Sequence, residues 1–437
     1  MVEDTVITLA TRITLFAVSS LTGILTARLL GPEGRGVYYL LTTYVGLLML
    51  TGALGLDASN VYYGAKSTID TASMFWNSVI GGSILGTMMA LGGWVVVSIF
   101  PQLFQGVDAA PLVLALLSLP WMIVNLFLIG LTLGLQHVVS YNVLAAIQRG
   151  LALLFLVLVL PFWRQPAAAL GAHLVAHMVG TAITVSYFAR RHLVSLRPRP
   201  AWYLLRNALS YGIRSQAANI LLYLNMRLAT FVINAFADPT QVGIYSIAVI
   251  LAESLWHVSS SVATVVMPRI SATQSLQRAM TLTCRSARLG VASTALLALP
   301  IGLLSPWLIS ILFGPEFRQA APALAILLPG IVVFSLEYVL ASYLSGRGYP
   351  QYVTVAALVA LSVAVVCNLW LIPAWGIRGA ALASTISYAI ATAAAFWFFR
   401  RLSGASLTDV LVPTRDDWTY VRTYLGAVHD RLAQRGS

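Results

Sequence analysis

Gly31-Pro32-Glu33-Gly34-Arg35-Gly36-Val37-Tyr38 stands between two apolar runs, each long enough to span about 30 Å of hydrocarbon as a helix. The proline sets its own φ and the glycines admit positive φ, so the stretch reads as a tight turn from one membrane helix into the next. Its spacing recurs. Asp238-Pro239-Thr240-Gln241-Val242-Gly243-Ile244-Tyr245 repeats the proline, the last glycine and the tyrosine 207 residues later. That offset divides the chain into two copies of one unit.

Outward from this stretch the composition is uniform. The 437 residues are 59% apolar and only 9% charged, with mean hydropathy +0.84, against roughly 25% charged residues in a soluble domain. A helical integral membrane protein follows, because the strands of a membrane barrel alternate in polarity and these long apolar runs do not. Glu3 and Asp4 at the N-terminus, with no basic region ahead of a full-length apolar segment, predict that the first helix is retained rather than cleaved. Cys284 and Cys367 suggest no disulfide or metal framework. The sequence shows no Walker motif, zinc-ligand spacing or nucleophile elbow. No connection between predicted helices exceeds about twenty residues, which leaves no room for an ATP-driven motor.

Twelve helices are predicted, at about 5–29, 37–60, 73–100, 110–135, 138–160, 167–189, 207–234, 241–267, 284–312, 320–345, 350–372 and 377–399. Six lie on each side of a polar joint containing Arg190, Arg191, Arg197, Pro198, Arg199, Pro200 and Arg206. The predicted organisation is a six-helix lobe at 1–189, a basic cytoplasmic linker at 190–206, a second six-helix lobe at 207–401 and a cytoplasmic tail at 402–437. With both termini in the cytoplasm, seventeen basic residues fall inside and five outside. The positive-inside rule thereby accounts for the net charge of +12 and no nucleic-acid partner is needed.

A second anchor supports the repeat: Gly171, Ala172, Leu174 and Thr184 recur as Gly379, Ala380, Leu382 and Thr392 at an offset of 208. Pro161-Phe162-Trp163 and Pro373-Ala374-Trp375 each close a helix at the outer face. An even number of helices per copy gives both copies one orientation, a parallel repeat of the kind found in transporters whose halves rock about a central site.

Residues 27–38 (Ala27-Arg28-Leu29-Leu30 and the opening stretch), Leu312-Phe313-Gly314-Pro315-Glu316-Phe317, Ser342 through Gly348, Asn368 through Pro373 and Gly376 through Ala383 resemble the polysaccharide-transporter branch of the MATE-like flippase superfamily, over residues 1 to about 400. The resemblance implies an all-α, V-shaped pair of six-helix lobes around a central cleft. It further implies a flippase that carries undecaprenyl-pyrophosphate-linked oligosaccharide from the inner to the outer leaflet of the bacterial cytoplasmic membrane by alternating access. The implied partners are that lipid-linked substrate, the bilayer and other polysaccharide-assembly membrane proteins.

Ionisable side chains within a membrane point to function, since roughly 2.5 to 3.5 kcal/mol opposes each one at mid-depth on insertion scales. Arg12 lies in a polar stripe with Thr8, Ser19, Thr22 and Thr26 on the first helix. The seventh helix carries Gln216, Asn219, Tyr223, Arg227, Thr230 and Asn234 on the matching face, with Arg214 off that stripe, and the fifth helix carries Arg149. In the context of the resemblance, Arg12, Arg149, Arg214 and Arg227, with Gln216, Asn219 and Tyr223, would line the cleft and receive pyrophosphate and acidic sugars. Guanidinium suits this because its planar fork binds phosphate oxygens in pairs and stays charged. The competing role for each arginine is snorkelling or structural ion pairing. Arg28 and Arg35, flanking the hairpin, are expected at the solvated outer surface. Glu253 and Glu337 are candidates for binding a coupling proton or Na⁺. No other cofactor is expected, and His257 is expected to serve packing.

Three further readings fit part of this pattern. A multidrug antiporter of the same fold typically uses acidic residues on the first helix, where this chain has Arg12. A peptidoglycan-precursor flippase usually has two additional helices. A polysaccharide polymerase or ligase generally needs a long outer loop, and the outer connection at 101–109 is short. In the tail, Thr414 and Asp417 have capping-box spacing ahead of Trp418, Val421, Leu425, Val428 and Leu432, which predicts an amphipathic helix on the cytoplasmic face.

Overall fold

The computed structural model describes residues 2–66, 70–191, 193, 202–256, 266–268, 270–414 and 417, and their side chains except at 2–10, 12–13, 202–211 and 213–215. Among the described residues the chain is helical, with short 3₁₀ turns at Pro101–Phe104 and Pro315–Phe317 and no strand. Among the described residues nine helices are long and apolar enough to cross a membrane. Two of them, Thr14–Ala53 at 40 residues and Pro350–Ser403 at 54, exceed the roughly 20 residues of one crossing. Each is broken by a glycine with non-helical dihedrals, Gly31 (φ 68°, ψ 179°) and Gly376 (φ 53°, ψ −133°). An L-residue is disfavoured at such positive φ, which is why glycine stands at both breaks. The helix predicted at 37–60 is divided: Leu54 and Gly55 both take positive φ, and Leu56–Ala65 continues as a separate helix.

The two copies of the opening stretch build their turns differently. In the first, Gly31 makes the break and Pro32 opens the next helix. In the second, the helix Trp202–Phe236 stops and Asp238 accepts a hydrogen bond from the Gln241 N–H (2.9 Å), so Pro239 starts Pro239–Ser254 beside a carboxylate cap. The two turns then pack on each other. A Cβ placed on Gly36 would lie 1.6 Å from the Pro239 carbonyl oxygen, and one on Gly243 would lie 1.9 Å from that of Pro32. Lipid offers apolar side chains as good a solvent as protein does, so membrane helices gain most by close backbone approach at small residues. The shared glycine is thus a reciprocal packing contact.

From that contact the segment 36–55 runs antiparallel to the helix Trp202–Phe236. Arg227 Nη1 donates to Tyr39 Oη (3.3 Å), Tyr223 Oη to the Thr43 carbonyl (3.0 Å) and Gln216 Nε2 to the Leu50 carbonyl (2.9 Å). A Cβ on Gly55 would meet the Gly212 carbonyl oxygen at 2.3 Å, so close glycine approaches mark both ends of this seam.

Chain contacts group the molecule into two compact units, Met1–Ile250 with Pro306–Ala323 and Val365–Ala381, and Leu251–Ser305 with Leu324–Ala364 and Leu382–Ser437. In the first, Met74, Phe75, Val124, Leu128, Leu131 and Phe188 form one of the buried clusters. Arg28, though exposed, donates to the carbonyls of Leu312 (2.8 Å) and Ile311, acceptors left open at the end of the helix Leu276–Leu312. In the second, Leu336, Val339, Leu340, Tyr343 and Leu344 pack on Cys284, Ala287, Ala395 and Phe399, with the Tyr343 and Phe399 rings 4.8 Å apart edge to face.

Arg35 departs from the surface position expected of it. It is 3% exposed and donates to Thr26 Oγ1 (2.5 Å) and Ser246 Oγ (3.3 Å). Both acceptors are buried hydroxyls, Thr26 from the first helix's polar stripe and Ser246 from the helix after the second hairpin, and their bonds offset part of the cost of burying the guanidinium.

Candidate functional site

The first unit encloses a cavity of about 450 Å³ between the N-terminal helix, Leu119–Gly134, Val138–Val159 and Pro166–Arg190. Ser19 and Thr22 of the N-terminal polar stripe line it, as do Tyr38, Asn125, Gln148, Arg149, His173 and His177. Among the described residues no carboxylate lines it.

Its polar groups form two hydrogen-bonded sets. Arg149 Nη1 donates to Ser19 Oγ (2.8 Å) while the side chain remains exposed. Deeper, Thr184 Oγ1 bonds Asn125 Oδ1 (2.8 Å), Asn125 Nδ2 donates to Gln148 Oε1 (3.1 Å), and Gln148 Nε2 meets His177 Nδ1 (3.0 Å). His173 and His177, one helical turn apart, bring their rings to 4.5 Å edge to face. Gly180 is needed here: a Cβ on it would strike Gln148 Oε1 at 1.8 Å. The arrangement supplies one permanent cation, two titratable imidazoles and neutral donors around open volume. That is a donor set for a multiply charged oxyanion.

The predicted site residues fall in several places. Arg149 lies in this cavity. Gln216, Tyr223 and Arg227 bond the first copy's second helix along the seam, and exposed Asn219 donates to Gln216 Oε1 (3.3 Å). Arg12 and Arg214 lie on helices, with their side chains outside the described residues. Glu253 is half-buried near the end of Pro239–Ser254, and Glu337 is buried within Ala320–Gly346. His257 and the predicted amphipathic helix after residue 417 fall outside the described residues. Asp417 itself accepts from the Thr414 N–H (2.8 Å) and hydroxyl (2.9 Å), the contacts its spacing suggested.

Asn125, Gln148, His173 and His177 were not singled out from the sequence, yet a signal was present. At the repeat offset of 208 they correspond to Val333, Ala356, Ala381 and Thr385, so amides and imidazoles at these positions are confined to one copy. The structure supports that register: Thr184 bonds Asn125, and Thr392 bonds the Val333 carbonyl (3.2 Å), each across 59 residues.

This all-helical membrane protein has a MATE-like fold. It is similar, with TM-score 0.74 and 14% identity over 91% of this chain and 98% of the other, to an inward-facing multidrug resistance MATE family transporter of the MOP superfamily. It is likewise similar to the lipid II flippase MurJ in an inward closed conformation, at TM-score 0.70 and 14% identity over 92% and 88% of the two chains. The chain belongs to the polysaccharide biosynthesis protein family, whose pattern it matches over residues 25–322. Among curated proteins it is 28% identical over 211 residues to an uncharacterized membrane protein of Methanocaldococcus jannaschii, covering 46% of this chain and 40% of that protein. It is 24% identical over 219 residues to the probable low-salt glycan biosynthesis flippase Agl15 of Haloferax volcanii, covering 49% and 46%. The chain therefore matches less than half the length of either curated relative.

Proposed function

We propose that this protein is a flippase that moves a polyprenyl-pyrophosphate-linked oligosaccharide from the cytoplasmic to the outer leaflet of a cell's cytoplasmic membrane for surface polysaccharide assembly. The observation that carries the reading is the cavity at Arg149, which offers cationic and neutral donors and no carboxylate within a polysaccharide-biosynthesis family chain. An anionic headgroup matches that donor set, whereas a cationic drug would meet no negative partner there. Similarity to a probable glycan flippase and to the fold of a lipid II flippase supports the same cargo class. Transport is by alternating access, driven by a proton or Na⁺ gradient, with both chain termini in the cytoplasm.

The test is transfer of a defined lipid-linked oligosaccharide across proteoliposome leaflets under an imposed proton or Na⁺ gradient. Gradient-dependent transfer is expected, together with accumulation of the lipid-linked unit on the cytoplasmic leaflet of cells lacking the protein. Normal outward delivery in such cells, accompanied by drug sensitivity, would return the protein to the multidrug class.

A further inference from the structure

We infer that the His173–His177 pair is a proton-binding site whose occupancy is linked to that of the anion subsite at Arg149, so that the cavity takes up a proton and a phosphate-bearing headgroup together. This rests on the function proposed above and adds to it the residues and sign of the coupling.

Arg149 contributes a fixed positive charge to the same cavity as the imidazoles. With rings 4.5 Å apart, the imidazoles titrate as a pair, and the second proton meets the first as well as the guanidinium. From the helices packed against Pro166–Arg190, the groups facing the pair are few. Val138–Val159 supplies Arg149, the N-terminal helix supplies the Tyr38 phenol, and Leu119–Gly134 and Ala109–Leu117 contain no ionisable residue. Arg12 shares the N-terminal helix, its side chain outside the described residues. Among the described residues no anion lines the cavity to hold an imidazolium beside Arg149; Glu3 and Asp4, like Arg12, have side chains outside that set. A bound oxyanion supplies that charge, and linkage then requires each ligand to strengthen binding of the other by the same factor.

Behind the pair lies the amide chain. In the arrangement seen, Gln148 Nε2 lies against His177 Nδ1, so that nitrogen is an acceptor and the ring is neutral there. An imidazolium donates from both nitrogens, so Gln148 must turn to present Oε1. Its Nε2 then faces Asn125, whose amide turns in the same sense and donates to Thr184 Oγ1. Thr184 remains satisfied because its hydroxyl also lies 3.0 Å from the Gly180 carbonyl. The network thus has two fully bonded arrangements related by side-chain rotations, one for each charge state of His177. Protonation leaves no buried group unpaired.

The experiment uses the full chain in nanodiscs with inorganic diphosphate as the probe, titrated calorimetrically in two buffers of different ionisation enthalpy between pH 6 and 8. Wild-type protein is expected to bind diphosphate with Kd rising about tenfold over this range and with uptake of up to one proton beyond that of the His173→Gln/His177→Gln double variant. The difference between chains cancels protons carried by the probe. The double variant is expected to bind more weakly than wild type at pH 6, to match it at pH 8, and to show only the pH dependence that the probe's own titration gives. His177→Gln alone, which removes the partner of Gln148, is expected to abolish the extra uptake as well. Diphosphate binding with equal uptake in wild type and the double variant, or with the same pH dependence of affinity in both, would overturn the proton site and leave the flippase reading standing. Failure of wild type to bind diphosphate at any pH would overturn the anion subsite, and the coupling with it.

Discussion

The two copies of the repeat agree at their hairpins and differ around the cavity. At the hairpins Gly36 and Gly243 play interchangeable parts, each accommodating the other copy's proline carbonyl. In the cavity the first copy has Asn125, Gln148, Arg149, His173 and His177, where the second has Val333, Ala356, Ala357, Ala381 and Thr385. The reverse substitution occurs too: Ile129 lines the first copy's cavity, and its counterpart at the 208 offset is Glu337. The second unit's pocket of about 370 Å³ is lined by Val291, Val333, Leu336, Phe396, Leu407 and other, mainly apolar residues. Duplication preserved the contact that needs two like partners, and the copies diverged where one of them acquired chemistry.

The largest effect is expected at the shared contact. Gly36→Ala and Gly243→Ala each push a methyl into a backbone carbonyl, which no rotamer change relieves, so the helices themselves must separate. Both should abolish transport, and to the same degree if the contact is reciprocal. Gly150→Ala, where a Cβ meets nothing within 4 Å, serves as the control on expression and folding. Complementation of export at matched protein level measures all three.

Next in size is Arg149→Ala, which removes the cavity's one permanent described cation. Export should fall about tenfold or more at unchanged protein level, given charge-assisted bonds of roughly 1.5–3 kcal/mol. The equivalent change in the second copy, Ala357→Ser, should leave export within about twofold of wild type, since Ser in a helix bonds its own preceding carbonyl. Comparable losses from both would mean that the asymmetry between copies has no bearing on cargo.

How much of this was legible in the sequence depends on what kind of signal each feature leaves. Hydrophobic runs and the duplicated Pro32/Gly36 and Pro239/Gly243 spacing disclosed the helical membrane fold, because length and turn chemistry are local properties. The break at Leu54–Gly55 was not legible, since it answers a tertiary contact with Gly212. Arg35 was misplaced for a related reason: Ser246, one of its two partners, lies 211 residues away. Of the polar stripe visible by periodicity, Ser19 and Thr22 line the first unit's cavity, whereas Thr26 bonds Arg35. Three-dimensional register was needed to learn that Gln148, His173 and His177 complete the wall. Read singly, each was an ordinary helix polar residue.

A smaller effect separates the copies at one position. Asn125→Val makes the first copy resemble the second and strips Gln148 Oε1 of its donor, at a cost of about 1–3 kcal/mol for the group left unpaired. Detergent-solubilised protein should melt at lower temperature and lose the pH dependence of diphosphate binding. Val333→Asn introduces an amide beside an apolar pocket. Thr392 already bonds two backbone carbonyls there, so the change should destabilise without creating anion binding. Anion binding gained at Val333→Asn would show that the amide suffices and the imidazoles do not matter.

The smallest predicted effect is a device found in the second copy alone. Arg288 holds Asp417 through Nε (2.6 Å) and Nη2 (2.9 Å), with Arg285 at 3.5 Å, whereas the first copy has Ile80 and Asn77 at the corresponding positions. Burial raises the Asp417 carboxyl, but the bonds from Arg288 and Thr414 outweigh it and hold the group down to about 2. A carboxyl depressed on docking contributes stability above its free value of about 3.9 and loses that contribution as pH falls through the docked value. The protection of residues 407–414 against amide exchange, relative to the intrinsic rate at each pH, should therefore hold down to about pH 4 and fall between about pH 4 and 2. Asp417→Asn removes the charge and should give faster exchange at neutral pH with no such step. If the variant retained the step, a different carboxyl would be responsible, and Asp409 is the nearest candidate, since its carbonyl accepts from the same arginine and Ser406 hydrogen bonds lower its own carboxyl.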